Sequence, residues 1–474
     1  MKIDTLVVHA DLFTMAGQGV GFIDDGAVAI NGNKIVAVGA SNELLKDYAA
    51  DEVIDATGMM VLPGFVDCHM HTSLAIFRGL AQDTNAWMHK GIGPFVPFIN
   101  EVSELAGSRM NILEALAAGT TTFCDYSSPI LDIAAFFKKI GARARLTTSI
   151  KEVPPVKHKL KEHDLYPFDP AIGERTLSEN LELVERWHGA EDNRITAMLG
   201  PQCPDQLSKE LMLKVREIAK AKNLKLHMHV AQGDRETKQM LGRYQKRPIA
   251  FLDEIGYLDE SLIAVHLTDA TEEEARYVAK SGASMVVCSG SIGIIDGVVP
   301  PAVPFMEAGG TVGLGTDQAA GNNCNQIINE MKLTSLFNKI KYQDPEKLPA
   351  WKALRMATIE GARAVGIGDE VGSLESGKKA DLIFIDLKAK TMLPVFKTPM
   401  RNHVPNLVYS ARGHEICRVM VDGKTLYQDG KYLTVDEAEI IADCQMIANQ
   451  ISGSVSEENF AITTSATFMK EGKL

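Results

Sequence analysis

VLPGFVDCHMH, residues 61–71, is the stretch from which the fold is read. Val61, Leu62, Phe65 and Val66 form an apolar run that suits a buried strand, and the run ends in His69-Met70-His71. Side chains two apart on a strand point to the same face, so the two imidazoles lie together. At the C-terminal end of a strand in a parallel barrel, that face opens where such barrels keep their chemistry. Imidazole pairs of this kind are common zinc donors.

The pattern returns further along. LKLHMHVAQ (224–232) sets His227 and His229 on one strand, residues 262–268 end an apolar strand in His266, and TVGLGTD (311–317) ends in Asp317. Strands are predicted at 60–66, 120–124, 145–150, 195–199, 224–230, 262–266, 284–288 and 311–315. Helices are predicted between them at 103–118, 130–140, 177–187, 209–221, 272–280 and 324–339. Strands alternating with helices of this length imply βαβ units and a parallel sheet, and eight strands suffice for a closed (β/α)8 barrel over 60–370. A ring closed in this way gathers histidines and a carboxylate, distant in sequence, onto one rim. Such a set suits a borderline divalent metal.

The chain ends read differently. Residues 5–8, 27–30 and 34–38 are short strands with an Asn31-Gly32 hairpin turn, and 380–387, 417–421 and 423–432 are again β-rich. Neither piece can bury a face alone, so 1–59 and 371–435 are expected to join in one small β-sandwich. Residues 436–450 read as an amphipathic helix, and 324–339 as another with exposed apolar residues. The tail after Ser452 shows no periodicity and is expected to gain order only from a neighbour. Two connections, 72–101 and 151–176, are long enough to be lids on the barrel face. Lys151, Lys157, Lys159 and Lys161 lie in the second, but Glu152, Glu162 and Asp164 dilute the charge, so a solvated loop is expected there rather than an anion site.

Composition narrows the function. The 474 residues are 45% apolar and carry a net charge of −12 with no long basic run. That excludes nucleic acid and anionic membrane as expected partners. The seven cysteines are scattered without a CxxC pair, as in a reduced cytoplasmic protein. No stretch of about 18 apolar residues is present, and the N-terminus lacks a signal-peptide pattern. The cytoplasm is the expected location.

The motifs PGFVDCHMH (63–71), GTTTFCD (119–125), LHMHVAQ (226–232), AVHL (264–267), GTDQAAGNN (315–323), MATIEGARAVG (356–366) and GSLESGKKADLIFID (372–386) run through nearly the whole chain. In this order they resemble the amidohydrolase superfamily, in its branch of S-adenosylhomocysteine/methylthioadenosine deaminases, guanine deaminases and triazine hydrolases. The resemblance implies roles residue by residue. His69, His71, His229 and Asp317 match the metal ligands, and His266 matches the histidine that polarises the substrate or positions the nucleophile. His227 is left as a packing residue. The branch uses one divalent metal, zinc most often and iron in some members. A single ion is expected here, because TAMLGPQCP (196–204) has no lysine to bridge two.

The implied reaction is hydrolysis at an sp² carbon of a nitrogen heterocycle, with ammonia or an amine leaving. Water activated on the metal attacks, Asp317 takes the proton, and His266 steadies the developing charge. Dehalogenation, or opening of a cyclic amide or ureide, would use the same parts. A metal-binding scaffold without activity is the reading from another class. A homo-oligomer is expected from the branch.

One position departs from the branch. Three residues past the fifth-strand histidine most members carry a glutamate that shuttles a proton to the leaving group; here it is Gln232. An amide orients by hydrogen bonding but carries no proton at neutral pH. Three readings follow: the proton comes from Asp317, or through water from Asp234 or Glu236; the leaving group needs little protonation; or the site is catalytically weak. Gln202 stands in GPQCP (200–204) where nucleoside deaminases resemble GPHAP, whose histidine contacts substrate, Ile292 stands near the branch's asparagine, and Trp87 matches a tryptophan near the pocket, so the resemblance implies Gln202, Trp87 and His266 as substrate contacts in a pocket not shaped for adenosine.

Overall fold

Thr120–Tyr126 lies in the computed structural model between two parallel neighbours, Phe65–His71 and Arg143–Thr147. The structure describes residues 1–85, 87–154 and 164–474. Parallel pairing continues from Arg143–Thr147 to Ile195–Ala197, and a parallel bridge from Leu199 to Leu226 passes it to Leu226–Val230. From there it runs through Leu262–His266 and Ser284–Val287 to Val312–Leu314. Asp317 then pairs with Met70 and returns the ring to its first strand. Eight parallel strands therefore close into a barrel, with helices in the connections.

Val66, Cys68, Cys124, Met198, Ile263, Val265, Val286 and Cys288 form one buried cluster. They come from strands on opposite sides of the ring, so this cluster is its interior. Ala362, Val365, Ile367 and Val371 complete it. With the ring's interior filled in this way, the histidines and Asp317 that end several strands lie above the apolar plug, at the C-terminal rim.

The strand expected at 60–66 divides in two. Met59–Pro63 pairs with Leu382–Asp386 and with Lys2–Phe13, and the barrel strand starts at Phe65. Pro63 and Gly64 make the break. A Cβ at Gly64 would meet the Thr121 hydroxyl at 2.1 Å, so the chain can pass there only as glycine. Apolar side chains continue across the break because both halves are buried, which is why periodicity alone joined them.

Strands from both chain ends form one nine-stranded sheet. Val7, Val28 and Ile30 belong to one apolar cluster, and Leu6, Val8, Ala27 and Ala29 to another. The alternation gives each face of the sheet its own cover. Arg143, buried on the third barrel strand, ties sheet to barrel: its Nε and Nη2 donate to Asp381 at 2.8 and 3.0 Å, and Nη2 to Asp422 at 2.5 Å.

The tail expected to gain order only from a neighbour is helical within the single chain. Ser456 and Thr463 cap Glu457–Ala461 and Thr464–Lys470 by accepting from Asn459 N and Ala466 N. Short helical segments at Thr72–Phe77, Trp87–Gly91 and Gly93–Phe98 occupy the first long connection. Their Phe77, Phe95 and Trp87 pack with Ala320 and with Ile447 and Ile451 of the helix Glu437–Ser454. Of the second connection, Lys157, Lys159, Lys161 and Glu162 lie outside the described residues. Among the described residues no helix is long and apolar enough to cross a membrane.

Candidate metal centre

The strand ends converge as the sequence implies. His71 Nε2 and His229 Nε2 are 3.3 Å apart, and Asp317 Oδ1 lies 3.7 Å from His69 Nε2 and 3.6 Å from His71 Nε2. The tautomers follow from the partners. His71 Nδ1 is 2.5 Å from the Tyr126 carbonyl oxygen and His229 Nδ1 is 2.8 Å from that of Gln202. A carbonyl only accepts, so both Nδ1 atoms carry the proton and both Nε2 atoms present lone pairs. Two lone pairs facing each other at that distance repel unless a cation lies between them. His69 Nε2 is buried and has no hydrogen-bond partner among the described residues.

Those separations suit a small divalent ion. Bonds of about 2.0–2.1 Å at tetrahedral angles set neighbouring donors about 3.3–3.4 Å apart. The donor set is three imidazoles and a carboxylate oxygen, which matches the chemistry of a borderline metal. Burial, before the mutual repulsion of the rings, holds His69 and His229 well below the usual imidazole range. Both are neutral at pH 7, as ligands must be.

His266 sits in the same group but is held differently. It is buried, both ring nitrogens lack a hydrogen-bond partner among the described residues, and its ring stacks on His229 at 5.4 Å. Burial pushes its pKa down to about 3, so it enters as a neutral ring with one donor and one acceptor. Its φ of 77° and that of Asp317, 58°, lie in the left-handed region. Backbone strain of this kind persists only where neighbours over-determine it.

Those neighbours are visible. Asn325 Nδ2 donates to the Asp317 carbonyl at 3.0 Å and to Thr316 Oγ1 at 2.8 Å. Thr316 in turn donates through N and Oγ1 to the buried Asp67, which also accepts from His69 N. Asp125 accepts from Thr72 N, Thr72 Oγ1 and Ser127 Oγ and fixes the turn after His71. Asp67, Asp125 and Thr316 lie within the quoted motifs but show no role in sequence, because their partners are remote. Ser291 and Asn325 carry no motif signal at all.

His227 is more than packing. Its Nε2 lies 2.9 Å from His69 Nδ1. With His69 Nε2 reserved for the ion, His69 Nδ1 donates and His227 accepts, which sets the ligand's tautomer. Gln202 serves through its main chain, accepting from His229 Nδ1, while its side-chain Oε1 accepts from Ser149 Oγ at 2.5 Å. Trp87 packs in the lid, with its indole N–H buried and without a partner among the described residues. Ile292 is buried.

Gln232 is half-buried at the end of the fifth strand, and its side-chain amide makes no hydrogen bond to the described residues. Glu236 is engaged in the turn and not in a proton path: its Oε1 and Oε2 accept from Ala231 N and Gln232 N, each at 2.9 Å. Asp234 is exposed and paired with Lys238 at 2.9 Å. Asp317 is the carboxylate left facing the donors.

Comparison with known proteins identifies the family and the fold. Residues 60–426 match the sequence profile described as the Amidohydrolase family. A 5-methylthioadenosine/S-adenosylhomocysteine deaminase of Desulforudis audaxviator is 33% identical over 452 residues, covering 95% of this chain and 99% of its own. A 5'-deoxyadenosine deaminase of Methanosarcina mazei is 32% identical over 463 residues, covering 96% and 99%. Among solved structures, an adenosine deaminase of Xanthomonas campestris with bound zinc superposes with a TM-score of 0.86 at 26% identity, covering 95% of this chain and 99% of that one. An atrazine chlorohydrolase of Arthrobacter aurescens with zinc shares the fold, with a TM-score of 0.82 at 22% identity over 94% and 100% of the two chains.

Proposed function

The chain belongs to the amidohydrolase family, and from that premise we propose that it is a one-metal hydrolase that deaminates an aminated nitrogen heterocycle of the adenosine kind. The observation that carries the reading is the inward set of lone pairs on His69, His71 and His229 beside Asp317 Oδ1. Zinc is the proposed ion, since the donors are nitrogen and oxygen in near-tetrahedral spacing and the adenosine deaminase relative holds zinc. When bound, it polarises water and makes it a nucleophile near neutral pH.

The chain's own groups do the rest. Asp317 Oδ1 accepts the proton of the attacking water, while Oδ2 stays occupied by the Ser291 hydroxyl. His266, neutral and buried, donates one N–H to the heteroatom on which charge develops. Asp317 then hands its proton to the departing nitrogen, the step for which Gln232 has no proton to give. The free Gln232 amide orients the ring by hydrogen bonding.

Gln232 also supports a second reading, a leaving group such as chloride that departs without protonation. The two separate in one assay. Purified protein is analysed for metal and screened for ammonia and for halide release on aminated purine nucleosides, pterins, pyrimidines and chlorinated triazines. Ammonia release with about one zinc per chain supports deamination. Less than about 0.3 metal per chain after expression with added zinc, with neither product formed, would leave only a scaffold.

Four further readings go with this proposal. The barrel is taken as running from Phe65 to 370, the composite β-sandwich as 1–59 with 371–435 extended by the strand Met59–Pro63, and 436–474 as a C-terminal helix and tail. The protein is read as a homo-oligomer, since Ile441, Met446, Ile462 and Met469 are exposed on the C-terminal helices. Its place is the cytoplasm, in keeping with seven unpaired cysteines. Its partner is a small heterocyclic substrate.

A further inference from the structure

Ala231 turns the chain directly after the fifth barrel strand, two residues past His229, at a φ of 49°. An alanine in the left-handed region is held there by its surroundings, not by its own preference. Both its polar groups are taken: its N–H donates to Glu236 Oε1 at 2.9 Å, and its carbonyl accepts from Asp269 N at 2.7 Å. The second oxygen of Glu236 accepts from Gln232 N, also at 2.9 Å.

Glu236 stands in the first turn of the helix Asp234–Tyr244, behind Gly233. Its side chain reaches back past the helix start and grips two successive amides of the preceding turn. The carboxylate is fully buried, so neither amide has water to fall back on. Thr237 of the same helix donates to Asp269 Oδ2 at 2.6 Å and binds the turn after the fifth strand to the one after the sixth, which carries His266. What this double grip leaves free is the Gln232 side-chain amide.

We propose that Glu236 is a positioning residue: by pinning the amides of Ala231 and Gln232 it fixes the direction in which the Gln232 side chain meets the substrate. This rests on the reading of the site as a hydrolase. It also accounts for a buried carboxylate that takes no part in the proton path. A displacement of about 1 Å in a substrate-orienting group costs on the order of a hundredfold in rate, so the pin matters even though it touches no reacting atom.

The test compares Glu236→Gln in the wild-type and Gln232→Ala backgrounds, with amide hydrogen exchange read across residues 230–234. Glu236→Gln keeps the shape of the side chain but turns one of the two acceptors into a donor. The expected result is normal metal content, faster exchange at Ala231 and Gln232, and a loss of about tenfold or more in kcat/KM for ammonia release. In the Gln232→Ala background the same change should cost less than about twofold, because the group it positions is gone. An equal loss in both backgrounds, or unchanged exchange, overturns the proposal. Should Glu236→Gln fail to fold, Glu236→Asp, which keeps the carboxyl group and shortens the reach, is read by the same two criteria. If the wild type releases ammonia from nothing, the hydrolase reading fails on its own. The pin is then decided by exchange alone, and unprotected amides at 231 and 232 in the wild type overturn it.

Discussion

The Ser291 hydroxyl donates to Asp317 Oδ2 across 2.5 Å, and both groups are buried. That bond leaves Oδ1 as the oxygen facing His69 and His71, so a residue outside every quoted motif decides how the site's carboxylate is aimed. A hydrogen bond to a charged group contributes about 1.5–3 kcal/mol. Ser291→Ala should therefore keep the metal and lower kcat by roughly ten- to a hundredfold. Unchanged kcat in a fully loaded variant would show that Asp317 needs no such aim.

His266 separates ligand from substrate contact. Its two nitrogens, unpartnered among the described residues, fit a role facing the substrate. His266→Ala should lose turnover by on the order of a hundredfold or more with metal content near that of the wild type. Loss of the ion in that variant would make His266 a ligand.

His227 holds its neighbour and not the ion. Replacing it with leucine keeps much of the volume but removes the acceptor for His69 Nδ1. The affinity for zinc should fall about ten- to a hundredfold, measured by competition with a chelator. An unchanged affinity would return His227 to simple packing.

On the proposed reading, Gln232 selects the leaving group. Gln232→Glu should keep the metal and raise the rate on substrates that lose an amine relative to those that lose a halide, since a carboxyl restores a proton carrier at that place. If Gln232→Ala turns over the true substrate with unchanged kcat/KM, the position takes no part.

The metal-free protein should lose stability as pH rises from 6.5 to 8.5. Burial raises Asp67 and Glu104 to about 7, and Glu236 and Glu330 to about 8. A carboxyl raised in the folded state contributes its full stability below its ordinary value and loses it as pH climbs through the folded one. Below 6.5 the buried His69, His227, His229 and His266, whose folded values are depressed, act in the opposite direction and flatten the curve. The measurement is Tm in the presence of chelator at pH 6.5 and 8.5. A Tm that is equal or higher at 8.5 would contradict the burial of these carboxyls.

Much of this was legible in the chain. Two helices, Ile130–Ile140 and Glu272–Lys280, have the bounds that their periodicity predicts, because each has a clear apolar stripe and a clear stop. The start of the first barrel strand is not legible, because an unbroken apolar run serves two sheets in succession and only Pro63-Gly64 marks the change. The tail helices leave little trace in the sequence, because they are short and stabilised by caps and packing instead of by a long apolar stripe.

The sequence by itself determined the alternation of strand and helix, the strand ends that carry histidine and aspartate, and the replacement of a proton carrier by Gln232. These are local facts, written in periods of two and 3.6 residues and in the identity of single side chains. Which histidine nitrogen carries its proton, which oxygen of Asp317 is free, and what Glu236 and His227 hold were decided only by the closed ring. Each depends on a partner tens to hundreds of residues away or on a reach across a turn, and a hydrogen bond has no sequence signature until the backbone brings its two ends within about 3 Å.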